Sequence, residues 1–213
     1  NINYFHVDEV LRPIFYENAS TLIRREHNGC IEIVTTISST LYKGIDVIFK
    51  TAQLLKQNTS LNYNWSIIGL EAADPLVKHF EKNLKLKHQL LNINFLGIRK
   101  ANDFVNTLKK ADLFIHPSYI HNSPNSVCEA QLLGIPVIAC NVGGLATLIE
   151  NNSTGKLVPS NGTYEIVNCI LTYYKTPELY WKMADKAKKV SIQRHNKDTI
   201  TKQVLNAYQN IIN

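Results

Sequence analysis

Hydrophobic and polar residues follow two alternating periodicities along most of this chain. Short apolar runs bounded by glycine, proline or asparagine predict buried strands, whereas apolar residues recurring every three or four positions predict amphipathic helices. The first predicted helix carries such a stripe at Ile45, Ile48, Phe49, Ala52 and Leu55. The predicted strands are Cys30–Ile37, Trp65–Gly69, Leu91–Leu96, Asp112–Pro117, Pro136–Cys140 and Gly155–Pro159, and the helices between them are Lys43–Gln57, Pro75–Leu86, Asn102–Lys110 and Ser123–Leu133.

Strands alternating with helices predict an α/β fold whose parallel sheet is covered on both faces. We expect a Rossmann-like, doubly wound sheet of about six strands, with ligands bound beyond the carboxyl ends of the strands. Three helices follow the sheet, the second beginning at Pro177. The last predicted helix carries the apolar stripe Ile200, Val204, Tyr208 and Ile211.

Residues 1–29 are weakly periodic, and we predict that they form an interdomain linker or extension before one domain over 30–213. The chain begins at asparagine without an initiator methionine or a basic leader, so we expect it to be part of something longer. Apolar residues make up 45% of the chain, and no apolar run reaches the roughly 18 residues of a membrane span. The four cysteines form no CxxC pair, which favours a reducing compartment. These properties are typical of a cytoplasmic, soluble domain.

The formal net charge of +6 raises the question of an anionic partner. A solvated helix face explains most lysine-rich helices, while peripheral contact with the inner face of a membrane stays open. No aromatic and basic residues interleave as a stacking platform, so nucleic acid is not an expected partner. The residues concerned lie on or between the last two predicted helices: Lys182, Lys186, Lys188, Lys189, Arg194 and Lys197.

The segment 118–142 indicates a function most directly. After a polar loop, Ser123 can act as a helix N-cap and Pro124 suits the first helical position. An anion can bind at the positive end of such a helix, where three backbone amides are free: those of Asn125, Ser126 and Val127.

Glu129 lies on the same face of this helix as Asn125 and Ser126. An ordinary acidic residue near a helix start is one interpretation, but its apolar neighbours mean that the carboxylate needs a partner. Amides for a phosphate beside a carboxylate for hydroxyl groups would suit a nucleotide-sugar.

Other strand ends carry candidate residues. Lys43 opposes the helix dipole, which indicates a bound phosphate, although a solvated lysine is the alternative. Gly44 would let the backbone approach a bulky ligand. Gly97 and the pair Gly143-Gly144 each follow a strand, where a turn alone would explain a glycine. The alternative is close approach of a ligand, with a base beside Gly97 and a diphosphate beside Gly143-Gly144.

His116 is predicted to be buried and structural rather than catalytic. The chain lacks the P-loop, the dinucleotide fingerprint and the nucleophile elbow. No histidine, cysteine and aspartate cluster has metal-ligand spacing, so no metal is expected.

Together these segments resemble the C-terminal, donor-binding half of a GT-B glycosyltransferase, most closely the retaining family 4, also called group 1. The resemblance covers the chain from about Cys30 to its end. Asp8–Tyr16 also resembles the linker that such enzymes carry between their halves. The matching segments are Phe95–Gly97, Ala111–Ser118, Cys128–Ala139, Val142–Gly144 and Thr154–Pro159.

This resemblance implies roles for individual residues. The glutamate matching Glu129 holds the ribose hydroxyls, and the lysine matching Lys43 neutralises the diphosphate. Backbone amides over Ser123–Ser126 hold the sugar and phosphate, while Gly97 and Ile98 line the base pocket. It further implies a UDP-, GDP- or ADP-sugar as substrate, no tightly bound cofactor, no required metal, and transfer to a glycan or lipid-linked acceptor in bacterial surface polysaccharide or capsule synthesis.

Three departures from the family pattern matter. His121 stands where the family has a glutamate that contacts the transferred sugar, so donor preference or catalysis should differ. Ile37 and Ser38 stand where many members have an arginine, which leaves Lys43 as the side-chain cation on the diphosphate. The acceptor-binding N-terminal half is absent, so the isolated chain should bind donor weakly and transfer little.

Two other functions stay open. A GT-B relative such as a sugar-nucleotide epimerase or phosphorylase would need further acids or cations, which the sequence does not show. For a non-catalytic nucleotide-binding or interaction module, His121 is the best argument. Without the other half, the apolar stripe of the last helix should be exposed and favour self-association.

Overall fold

The computed structural model describes residues 4–19 and 29–212. The strands of this part of the chain form one parallel sheet in the order β3-β2-β1-β4-β5-β6, which confirms the predicted α/β class. The strands are β1 Cys30–Thr36, β2 Asn62–Ile68, β3 Ile93–Gly97, β4 Leu113–His116, β5 Val137–Cys140 and β6 Lys156–Val158. The helices are α1 Pro13–Asn18, α2 Ile45–Asn58, α3 Pro75–Leu84, α4 Ala101–Leu108, α5 Asn125–Leu133, α6 Leu145–Leu148, α7 Thr163–Lys175, α8 Pro177–Arg194 and α9 Lys197–Ile212.

Helices cover both faces of the sheet because the central strands are apolar on both faces. Ile33 and Trp65 belong to the core on one face, which α2, α3 and α7 cover. Val34 and Phe114 belong to the core on the other face, which α1, α4, α5 and α6 cover. Successive residues of β1 therefore point into different cores, and both must be apolar. This is why continuous apolar runs predicted the buried strands.

The segment before the sheet is packed against the domain. Leu11 and Phe15 are 3% and 0% exposed in the second core, beside α4 and α5. The Tyr16 hydroxyl donates to the His195 carbonyl at 2.5 Å, and His195 Nδ1 lies 2.7 Å from the Glu9 carbonyl. A linker role for 1–29 stays a prediction, and its residues 1–3 and 20–28 lie outside the described residues.

Two predicted helix starts were wrong. Ser123 is not the N-cap of α5: Pro124 takes that position with φ −77° and ψ 105°, and no side chain caps the helix. Lys43 does not begin α2 but ends a short 3₁₀ turn, because Gly44 follows it in the left-handed region with φ 79°. The predicted start of α8 at Pro177 is confirmed.

The predicted stripe of the last helix is only partly buried. Ile200 packs against the domain, whereas Val204, Tyr208 and Ile211 are exposed. Self-association through this face stays a prediction. Within the described ranges, no helix is both long enough and apolar enough to cross a lipid bilayer.

Candidate functional site

The candidate site lies where the strand order reverses, between β1 and β4. Two loops leave the carboxyl ends of these strands and touch through their backbones. A Cβ atom on Gly44 would lie 2.2 Å from the Pro117 carbonyl oxygen, and Tyr119 N donates to the Tyr42 carbonyl at 2.8 Å. These contacts hold Lys43 beside the β4–α5 loop.

Two histidines accompany Lys43 at this edge. The rings of His116 and His121 are edge to face, with centroids 5.1 Å apart. His116 is 2% exposed, which agrees with its predicted burial, and neither of its ring nitrogens has a hydrogen-bond partner among the described residues. Burial, His121 and Lys43 lower the pKa of His116 to about 3, and burial and Lys43 lower the pKa of His121. At neutral pH the lysine therefore supplies the positive charge and both imidazoles are neutral.

The depressed pKa of His116 predicts an acid-sensitive fold. The unfolded chain takes up the proton near pH 6.5 and the folded chain only near pH 3, so stability is lost as pH falls between these values. At pH 5 we expect His116 to cost about 2 kcal/mol of unfolding free energy. The decrease in unfolding free energy between pH 7 and pH 5, measured with urea, should be smaller by that amount in His116→Leu than in the wild type. An unchanged difference would contradict this, and His79→Leu, at an exposed position, is the matched control.

The amino-terminal end of α5 faces the same edge. The amides of Asn125 and Ser126 have no acceptor among the described residues. The Val127 amide, in contrast, donates to the Pro124 carbonyl at 2.9 Å. Two of the three amides predicted for an anion are therefore available, while Ser123 contributes no cap.

The glycine pair after β5 accommodates the neighbouring loop. A Cβ on Gly143 would lie 2.0 Å from the His121 carbonyl oxygen, and one on Gly144 would lie 2.2 Å from that of Asn122. The Gly144 amide also donates to the His121 carbonyl, at 3.3 Å. Backbone packing therefore accounts for both glycines, and a role beside a diphosphate stays a prediction.

A cleft of about 360 Å³ opens beside the predicted base-binding residues. Gly97 ends β3 with φ 69°, and the next residue, Ile98, is 89% exposed at the cleft. A Cβ on Gly97 would lie 3.2 Å from Glu71 Cγ, so a larger residue would crowd this wall. The cleft is lined by Ser39, Gly69, Leu70, Glu71, Ala73, Asp74 and Ile98.

Glu129 is buried with a single charged partner in the described structure. Its Oε1 and Oε2 atoms accept hydrogen bonds from Nε and Nη2 of Arg12 at 2.7 and 2.9 Å. Burial raises the pKa of Glu129, and the Arg12 guanidinium opposes that rise. The need for a partner was predicted from the apolar neighbours of Glu129, but its identity was not.

The candidate site thus has three parts along one edge of the sheet: Lys43 with the two histidines, the start of α5 with Glu129, and the cleft at Ile98. No cluster of three or more metal-ligating side chains lies within the described residues. The family model "Glycosyl transferases group 1" matches residues 31–190.

The chain belongs to this family.

Curated relatives agree with the family. An uncharacterized glycosyltransferase of Haemophilus influenzae is 28% identical over 178 residues, covering 82% of this chain and 49% of the relative. An Escherichia coli UDP-Gal:α-D-GlcNAc-diphosphoundecaprenol α-1,3-galactosyltransferase is 33% identical over 101 residues, covering 47% of this chain and 25% of the relative. The chain spans about half the length of the first of these relatives.

Solved structures share the fold. A glycosyltransferase from Rickettsia africae superposes with a TM-score of 0.78 at 20% identity, covering 97% of this chain and 56% of that one. Anabaena HepE in complex with UDP has a TM-score of 0.73 at 22% identity, covering 85% and 49%. The C-terminal domain of a Francisella tularensis group 1 glycosyltransferase has a TM-score of 0.61 at 20% identity, covering 77% and 84%. The chain is thus a C-terminal GT-B domain of a group 1 glycosyltransferase.

Sequence reasoning assigned no role to two residues that the structure places beside the candidate site residues. Gly69 lines the cleft with φ 101°, and a Cβ there would lie 2.1 Å from the Ile37 carbonyl oxygen. A glycine at a strand end was the available signal. Arg12 lies outside the residues that the family model matches; the sequence placed it in the linker-like segment Asp8–Tyr16 but indicated no role for it.

Proposed function

We propose that this chain is the donor-binding domain of a retaining glycosyltransferase that moves a sugar from a nucleotide-sugar to a glycan or lipid-linked acceptor. One observation carries the proposal: Lys43, the free amides of α5, Glu129 and the cleft at Ile98 all lie at the switch-point edge. They provide, in turn, a cation for a diphosphate, donors for its oxygens, an acceptor for ribose hydroxyls and space for a base.

The same arrangement accounts for the chemistry. When the sugar leaves, the nucleoside diphosphate gains negative charge, and fixed positive groups around it lower the barrier. Lys43 and the amides of Asn125 and Ser126 supply such groups without a metal. We place the transferred sugar beside His121 and Gly143, whose backbones are in contact at this edge. Retention of configuration rests on the family resemblance.

Named relatives support a role in surface polysaccharide synthesis. The E. coli relative transfers galactose to a diphosphoundecaprenol-linked sugar, and a Campylobacter jejuni relative is an N-acetylgalactosaminyltransferase acting on a diphospho-undecaprenol substrate. Anabaena HepE has been solved with UDP and with UDP-glucose. We place the intact protein in the cytoplasm, at the inner face of the membrane where such lipid-linked acceptors are presented.

Calorimetric titration with UDP, GDP and ADP, followed by their sugar conjugates, tests donor binding. We expect one nucleotide to bind selectively, and Glu129→Ala to weaken its binding by about tenfold to a hundredfold, because charged hydrogen bonds to both ribose hydroxyls are lost. Thermal melting establishes that the variant is folded. Equal affinities for wild type and variant would contradict the role of Glu129.

His121 favours a second candidate, a nucleotide-binding module without transferase activity. A neutral imidazole can hydrogen-bond a sugar hydroxyl but cannot supply a fixed negative charge. The two candidates separate in the full-length protein. Transfer by the natural sequence supports the enzyme, whereas transfer only after His121→Glu supports the module.

A further inference from the structure

Arg12 fixes the Glu129 carboxylate from outside the sheet and its crossover helices. One guanidinium donates to both carboxylate oxygens, at 2.7 and 2.9 Å. This bidentate contact, called the fork below, sets the plane of the carboxylate as well as its position. The Glu129 side chain is 4% exposed and that of Arg12 is 47% exposed, so the guanidinium forms the outer layer of the pair.

Arg12 is itself firmly held. Its guanidinium carbon lies 4.8 Å from the ring centroid of Phe15 and 5.3 Å from that of Phe104. Phe15 is fully buried, and Tyr16 joins the same segment to the carbonyl of His195. The guanidinium therefore contacts a ring on α1 and a ring on α4, and moving it away would break both contacts as well as the hydrogen bonds to Glu129.

We propose that Arg12 is a positioning residue for nucleotide binding, which holds the Glu129 carboxylate in the orientation that accepts the ribose hydroxyls. This inference rests on the proposed function, because it assumes that Glu129 contacts ribose. It means that the donor site is completed by the segment preceding the sheet, although the family match begins only at residue 31.

The chemistry of the pair allows a ribose to join it. A carboxylate offers about four lone-pair positions, and the arginine fork uses two of them. Two positions stay available for two hydroxyl donors. Each hydroxyl would also make a charged hydrogen bond to this carboxylate, but Arg12 carries a full positive charge, donates two such bonds and packs on two aromatic rings, so two neutral hydroxyls would not displace it. The ribose therefore adds to the Arg12–Glu129 pair rather than replacing it.

The test compares a ribonucleotide with its 2′,3′-dideoxy analogue. UDP, GDP and ADP are titrated into the chain, and the one that binds is then compared with its dideoxy form. The ratio of the two dissociation constants isolates the ribose hydroxyls. We expect a ratio of about ten or more for the wild type. It should fall towards one in Glu129→Gln and in Arg12→Ala, and Arg12→Lys should lie between, because lysine keeps the charge and loses the fork.

Tyr16→Phe is the matched control, because it removes the hydroxyl that bonds His195 and Leu11 but leaves the fork intact. General loosening of the segment weakens both nucleotides equally, so this control should keep the wild-type ratio. If Arg12→Ala does not fold, Arg12→Lys carries the test, and an unchanged ratio there overturns the inference.

The possible results distinguish failure of the Arg12 role from failure of the proposed donor-binding function. A wild type that binds no nucleotide, or binds both forms equally, overturns the role of Glu129 and the inference with it. A ratio that collapses in Glu129→Gln but survives in Arg12→Ala overturns the inference alone. Tighter ribonucleotide binding by Arg12→Ala would also overturn it, because Arg12 would then cover the carboxylate instead of orienting it.

Discussion

Replacing Gly44 with alanine is expected to destabilise the domain by about 2–5 kcal/mol. Gly44 has φ 79°, where an L-residue costs about 1–2 kcal/mol, and its Cβ would lie 2.2 Å from the Pro117 carbonyl oxygen. Relieving that overlap must shift one of two backbone loops, which costs about 1–3 kcal/mol more. Urea unfolding measures the loss. Nucleotide affinity should also fall, because the shift moves Lys43 away from the β4–α5 loop.

Gly29→Ala is the matched control for this substitution. Gly29 also has φ 79°, but a Cβ there would meet no atom of the described residues within 4 Å. We therefore expect it to cost only the conformational penalty of about 1–2 kcal/mol. Equal losses for the two variants would show that the loops at the switch point do not touch as the structure describes.

Replacing Phe15 with alanine is expected to cost about 3–5 kcal/mol of unfolding free energy. Its side chain is fully buried, its ring meets that of Phe104 edge to face at 5.8 Å, and the Arg12 guanidinium packs on it. The substitution leaves a cavity between α1 and α4 that neither helix can fill. Thermal and urea unfolding should both register the loss.

Phe5→Ala provides the comparison, because Phe5 lies in the same segment and is 42% exposed. We expect it to change stability by no more than about 0.5 kcal/mol. If Phe15→Ala costs no more than Phe5→Ala, the segment before the sheet is not docked in solution. The positioning role of Arg12 would then lose its structural basis.

The sheet could be predicted largely because β4 and β5 are buried on both faces and are almost continuous apolar runs. The helix starts were harder to predict. Pro124 and Gly44 each had a backbone conformation that the residue type allowed but did not require. The close approach of the Pro117 carbonyl, which leaves no room for a Cβ at Gly44, comes from another loop and could not be predicted locally.

The candidate site residues that could be predicted are those placed by their own neighbouring strand or helix. Lys43 and Ile98 lie in loops that follow strands, and Glu129 lies in the second turn of the helix after β4, so parallel topology places them towards one edge. The Arg12–Glu129 pair joins residues 117 positions apart, and no periodicity records such a contact. The apolar neighbours of Glu129 indicated a missing partner, and only the packing of α1 between α4 and α5 identifies it.

We expect the nucleotide to bind at the carboxyl edge of β1, β3 and β4. Backbone amide chemical shifts of the isotopically labelled chain, recorded with and without the nucleotide that binds, locate its binding site. The largest changes should occur at Lys43-Gly44, at Gly97-Ile98 and at Asn125-Ser126. Changes confined instead to the groove that Val10, Tyr16 and Ile192 line, or to α9, would show that the nucleotide binds elsewhere and would overturn the proposed donor site.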